Sequence, residues 1–288
     1  MTEETAINPV VVDALASINR IATLPKIAGR ILELLDDPNA TADDLQKVIA
    51  GDPVLSARVL KVVNSSFYGM PAAVSSIKQA VVMLGLSGVK NIALAASLSK
   101  LFGGRHSPGD LDPQGPWQHS TGVAAAAKLI SGHIGGDGES LFLAGLLHDV
   151  GTLIAMQAMR QQFAELIEDR KGLTEDAYTD MERRILGTTH EELGAALCRR
   201  WNFPKEIQAA VEFHHRPDAT DGELRRVAQI VYVADHLAAE SEIGYSCTPA
   251  DGEIPEAVTN ALGLTVEVLS EVRAQLPEAA ALAEQLCS

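Results

Sequence analysis

Apolar residues recur three and four positions apart through most of the chain, and strict alternation is scarce, so the pattern predicts helices and no significant sheet. Behind Pro25, suited to a first helical turn, Ile27, Ile31, Leu34 and Leu35 share one stripe. Thr41-Ala42-Asp43-Asp44 has the form of a capping box ahead of Leu45, Val48 and Ile49. Asp52-Pro53 opens another helix, with Leu55, Val59, Leu60 and Val63 on one face. It ends in the turn-rich run Asn64-Ser65-Ser66-Phe67-Tyr68-Gly69-Met70-Pro71. Ser75-Ser76 and Ser87 are suited to cap two further helices, through Leu84 and through Leu101. Helices are then expected around 117–133, 139–149, 152–171, 174–187, 190–201, 204–215 and 222–240, with a helical tail beyond about 253 packing on as a cap.

Gly, Pro and Asp crowd the stretch from Gly103 to Pro116, the best candidate for a boundary between two lobes, 1–110 and 111–288. Charge changes at the same place. The first part holds 10 acidic and 10 basic residues, the second 28 and 13, so the second carries the whole net charge of −15. A surface that acidic repels phosphate backbones, which argues against DNA binding. With 47% apolar and only 4% aromatic residues, the core is expected to be small and aliphatic. Cys198, Cys247 and Cys287 have no paired spacing and suggest reduced thiols. The N-terminus lacks the features of a signal peptide, and no apolar stretch approaches the ~20 residues of a bilayer span. A soluble, cytoplasmic protein with no membrane contact is the expectation.

Against that background His148-Asp149 stands out, at the end of the apolar run Leu141-Phe142-Leu143-Ala144-Gly145-Leu146-Leu147. Burying both side chains without partners is costly, and a divalent cation would compensate both. Other potential ligands lie far away in sequence: His119, His190, His214, His215 and Asp235. Several stand at expected helix ends, from which side chains of different helices can converge. Imidazoles with carboxylates suit a divalent transition metal (Fe, Mn, Zn or Ni), as one ion or two. A carboxylate such as Asp149 could bridge two ions, and a pair ~3.5–4 Å apart supports phosphoester hydrolysis. His106, His133 and His236 fit no slot and are expected at the surface or behind the ligands.

The order H…HD…H…HH…D resembles the HD superfamily of metal-dependent phosphohydrolases. The resemblance narrows to the HDOD domain through Leu24-Pro25, the segment Asp52–Leu60, Asn64-Ser65-Ser66-Phe67-Tyr68-Gly69, the segment Ser76–Gly85, His190-Glu191-Glu192-Leu193-Gly194 and Trp201-Asn202-Phe203-Pro204, over roughly residues 15–240. It implies an all-α, two-lobe fold and a place in bacterial signalling, with partners among cyclic-di-GMP turnover or two-component proteins. By the same similarity His119, His148, Asp149 and Asp235 would hold a first ion. His190, His214 and His215, with Asp149 bridging, would hold a second. The related HD-GYP phosphodiesterases continue His-Asp-x-Gly with Lys; here Thr152 stands there and cannot offer a cation to phosphate. Their His-His-Glu becomes His214-His215-Arg216, and no Gly-Tyr-Pro loop follows.

The leading expectation is therefore a regulatory, non-catalytic module that keeps a metal site and offers a partner surface, with Phe67, Tyr68 and Met70 as candidate contacts. The alternative is a metal-dependent phosphohydrolase acting on a nucleotide or cyclic nucleotide, with Arg216 or Arg225-Arg226 replacing the missing lysine.

Overall fold

A computed structural model describes residues 8–18, 25–66, 68–102, 114–169, 173–244 and 253–287. Leu24, Phe67, His106, Cys247 and most of the expected lobe boundary lie outside the described residues. The described residues form helices with no strand. In the first part these are α1 (Pro9–Ser17), α2 (Lys26–Asp36), α3 (Ala42–Ala50), α4 (Pro53–Val63) and α5 (Ile77–Phe102). Then come α6 (Gln114–Ile134), α7 (Gly138–Leu147), α8 (Val150–Ala158), α9 (Arg160–Asp169), α10 (Glu175–Leu186), α11 (His190–Arg200), α12 (Lys205–Phe213) and α13 (Gly222–Glu240). The tail forms α14 (Glu256–Leu262) and α15 (Val266–Cys287).

Local chemistry explains most of the boundaries. Thr41 and Asp44 form the reciprocal capping box of α3. Asp52 accepts the backbone N–H groups of Val54 and Leu55 in front of Pro53. The two helices expected through Leu84 and Leu101 are continuous except at Gly85, whose φ of 80° breaks the helical path. The single helix expected over 152–171 is two, parted at Met159. Helix α1 was not expected: its only sequence signal, Asn8 capping ahead of Pro9, precedes a short apolar run. It packs on α8 and α11, far along the chain.

Ile31, Leu45, Ile49, Val59 and Leu98 fill the core of α2–α5. Ala124–Ala127 of α6 are wholly buried, and their short side chains let α7, α13 and α15 close around that helix. One apolar cluster runs through both parts. The α4–α5 loop is tied internally, because Asn64 bonds the backbone of Val74 in both directions. It is tied across the molecule by Tyr68, which donates to Glu139 at 2.7 Å and lies 3.6 Å beneath the Lys128 ammonium. Tyr68 and Met70 thus pack against the core. The tail docks as expected, α15 along α6 and α14 on α13.

Two stretches, Ile77–Leu98 and Gly138–Ala158, are long and apolar enough to cross a membrane, contrary to the expectation from sequence. The second is 89% buried and carries His148-Asp149. Its apolarity is that of a helix pair surrounded on all sides by other helices.

Candidate metal centre

The chain brings all seven expected ligands together. They form two adjoining groups, His119, His148 and Asp235 in one and Asp149, His190, His214 and His215 in the other, with donor atoms in each group within 4.8 Å of one another. Rings of His148 and His214 join the groups, 5.0 Å apart. All seven residues are buried or nearly so.

Close helix crossings set this convergence. A Cβ on Gly151, at the start of α8, would stand 1.8 Å from the carbonyl oxygen of His190, so only glycine lets α8 approach α11. Gly194 returns the contact from α11. A Cβ on Gly145 would stand 2.9 Å from the α6 backbone at Val123 and Ala124. These crossings bring the α7–α8 joint, which consists of His148 and Asp149, against α11 and α6. His190 opens α11, capped by Thr189. His214 and His215 follow α12, and Asp235 projects from the middle of α13.

Hydrogen bonds orient the rings. His148 Nδ1 donates to the Gly145 carbonyl at 2.7 Å, and His214 Nδ1 to the carbonyls of Ala210 and Val211. His190 Nδ1 donates to Glu182 at 2.8 Å, and His215 Nδ1 is bonded to Glu175. With Nδ1 engaged in all four, each ring turns Nε2 toward the cluster, the arrangement by which proteins prepare imidazole ligands. His119 Nε2 donates to Asp235 Oδ1 at 2.7 Å.

Spacing and orphaned atoms fit a metal. Asp149 Oδ1 is 3.6 Å from His190 Nε2 and 3.8 Å from His214 Nε2, while its Oδ2 is 3.7 Å from His148 Nε2. The Nε2 atoms of His190 and His214 are 3.4 Å apart. Donors each about 2.1 Å from a shared ion stand about 3.0–3.5 Å apart, so adjustments of a few tenths of an ångström suffice. Asp149 Oδ1 and His215 Nε2 are buried without a hydrogen-bond partner, a costly condition that a cation relieves. The carboxylate of Asp149 faces both groups, which is the geometry a bridging ligand needs.

Proton affinities follow from the same contacts. Burial alone would lower the pKa of His190, but the charge and hydrogen bond of Glu182, with Asp149, push it up to about 10. Burial likewise opposes the upward shifts of His119, bonded to Asp235, and of His215, bonded to Glu175. His148 is lowered by burial, and His214 falls well below the ordinary imidazole range through burial and the facing His215, His148 and His190. Burial would raise Asp149 and Asp235, yet the surrounding imidazoles hold both below the usual carboxylate value.

Glu182 and Glu175 escaped the reading of the sequence. Glu182 had a signal: it lies on the buried stripe of α10 with Tyr178, Met181 and Leu186, where a carboxylate needs a partner. Glu175 had none, being an ordinary first-turn acid of α10. Of the other histidines, His133 is exposed near Glu271, and His236 is buried, donating to the Tyr232 carbonyl. Neither belongs to the cluster.

The candidate phosphate binders have other partners. Arg216 holds Glu191 at 3.0 Å, Arg225 the Thr220 carbonyl at 2.6 Å, and Arg226 the Ile134 carbonyl at the end of α6. Thr152 is 2% exposed inside α8.

The family model of the HDOD domain matches residues 21–217. Among solved structures, an HDOD domain protein of unknown function from Geobacter sulfurreducens is 25% identical and superimposes with a TM-score of 0.80 over 97% of this chain and 98% of its own. A Marinobacter aquaeolei VT8 protein assigned by name to signal transduction is 27% identical, with a TM-score of 0.72 over 92% of this chain and 60% of its own. Among curated proteins, an uncharacterized protein of Treponema pallidum is 25% identical over 207 residues, 68% of this chain and 38% of its own. Ribonuclease Y of Sulfurovum is 30% identical over 145 residues, 49% of this chain and 23% of its own. The chain therefore spans well under half the length of these curated relatives.

Proposed function

Because the chain belongs to the HDOD domain family, we propose that it is a regulatory module of bacterial signalling, acting in the cytoplasm, whose second lobe holds a divalent transition metal in a structural or sensory role. The observation that carries the non-catalytic part is the commitment of Arg216, Arg225 and Arg226 to protein acceptors, while the family-related lysine position holds a buried Thr152. A substrate phosphate would find ligands for an ion here, while the three arginines suited to replace the lysine are engaged by protein acceptors. The seven ligands, four of them oriented by Glu182, Glu175 and backbone carbonyls, would hold the metal. Signalling proteins, including cyclic-di-GMP turnover or two-component proteins, are the proposed partners. The proposed partner surface is the first lobe, a reading supported by the exposure of Val54, Val82 and Met83.

A second reading, a metal-dependent phosphohydrolase, is favoured by the seven converging side chains, among which Asp149 would be shared between two ions, and by the likeness to ribonuclease Y. Bound ions would supply Lewis acidity toward a phosphoryl oxygen. One experiment separates the two: protein purified under low oxygen and loaded with Mn²⁺ or Fe²⁺ is analysed for ions per chain and assayed on cyclic-di-GMP and a generic phosphodiester. The regulatory reading expects bound metal and no turnover above that of His148→Ala. Turnover that His148→Ala abolishes would establish the hydrolase instead.

A further inference from the structure

A cavity of about 920 Å³ opens between α1 and the end of α11, within the range of about 300–1,000 Å³ typical of small-molecule sites. Val11, Val12 and Leu15 of α1 give it an apolar side, and Val12 is left 50% exposed there. Arg199, Arg200 and Arg216 give it a cationic side. Its carboxylates are already held: Glu212 by Arg199, and Glu192 by the Thr188 hydroxyl at 2.8 Å, with Arg183 4.0 Å away. Arg216 is engaged by Glu191. Arg200 differs. It is exposed and has no hydrogen bond or ion pair among the described residues, so it is the uncompensated charge of the cavity. That charge is positive, in the part of the chain with 28 acidic and 13 basic residues. Arg200 closes α11, about 15 Å along the axis from His190 at its start, and so stands apart from the metal centre.

We propose that this cavity binds a small organic anion with an apolar body, an alkyl or aryl carboxylate or phosphate ester. The planar guanidinium of Arg200 offers paired N–H donors to such a head group. The body covers Val12 and the edges of Val11 and Leu15, which removes hydrocarbon from water. Both halves are needed, because an exposed ion pair alone contributes little. A cation with the same body meets Arg200 unfavourably, and an inorganic anion leaves Val12 exposed. An occupant would join α1, which lies outside the matched residues 21–217, to the helix that opens with His190. The site stands whether or not the centre holds a metal.

The test titrates the full chain by calorimetry with decanoate, decyl phosphate, decyltrimethylammonium and inorganic phosphate. At least one of the two decyl anions is expected to bind once per chain, more weakly as salt is added, with decyltrimethylammonium and inorganic phosphate at least about tenfold weaker. Arg200→Gln and Val12→Asp are each expected to weaken that anion by about tenfold or more. Both alter exposed side chains, and unchanged thermal unfolding without ligand checks that the variants fold. Anion binding that survives both substitutions places the site elsewhere and overturns the proposal. So does equal binding of the decyl cation or of inorganic phosphate, since the class would then be wrong. Sedimentation of the parent and Val12→Asp covers the rival occupant: no anion binding, with self-association that Val12→Asp abolishes, assigns the face to a second copy of the chain. No binding by either decyl anion overturns the proposal outright.

Discussion

The α2–α5 lobe and the helices around the His-Asp cluster use burial in opposite ways. In the first, Ile31, Leu45, Ile49 and Leu98 are buried among apolar neighbours, and the polar residues mostly cap helix ends, as Thr41 and Asp52 do. In the second, seven ionisable ligands and Glu182 are buried together. The first arrangement lowers free energy by removing hydrocarbon from water. The second costs free energy unless each charge is paired, and it leaves Asp149 Oδ1 and His215 Nε2 unpaired. The first region is therefore built as a scaffold, and the second carries buried atoms that a bound cation would satisfy.

Substitutions should separate these roles. Leu45→Ala, which empties the first core, is expected to cost about 2–5 kcal/mol in denaturant unfolding while leaving ions per folded chain unchanged. A matching loss of metal would mean that the lobes are not separable. Asp149→Asn keeps the volume and removes the shared carboxylate; affinity should fall at least about a hundredfold by competition with a chelator, because first-contact ligands exceed the ~10–100-fold typical of the residues behind them. Glu182→Gln tests one of those supporting residues, with an expected loss of about tenfold or more and a helical spectrum unchanged.

Acidity probes the second region alone. His190 with a pKa of about 10 keeps its proton at neutral pH, so metal capture there must release it. Affinity should thus rise with pH, by about tenfold per unit between pH 6 and 8 for one proton released, and a flat calorimetric profile would mean that His190 carries no proton to release. The smallest effect belongs to the joint between the regions. Tyr68→Phe removes the hydrogen bond to Glu139 but keeps the ring beneath Lys128, and should cost about 1 kcal/mol in thermal unfolding without altering metal content.

Much of this was readable beforehand. Pro25, Thr41 and Asp52 announce helix starts because caps act within one turn of the backbone, and the structure places helices there. The break at Met159 and the docking of α1 on α8 and α11 were hidden, since both depend on neighbours distant in sequence. Arg225 and Arg226 read equally well as phosphate binders until their carbonyl partners are seen.

By itself the sequence determined the helical class, the caps and the seven residues able to ligate, because helical period, cap chemistry and donor atoms are properties of residue types and short spacings. The tertiary structure alone decided the distances at which the ligands meet, that Glu182 and Glu175 orient two of the rings, and that the arginines are committed elsewhere. Those outcomes depend on ångström-scale helix crossings such as Gly151 against the His190 carbonyl, and such distances arise only when the packed core closes.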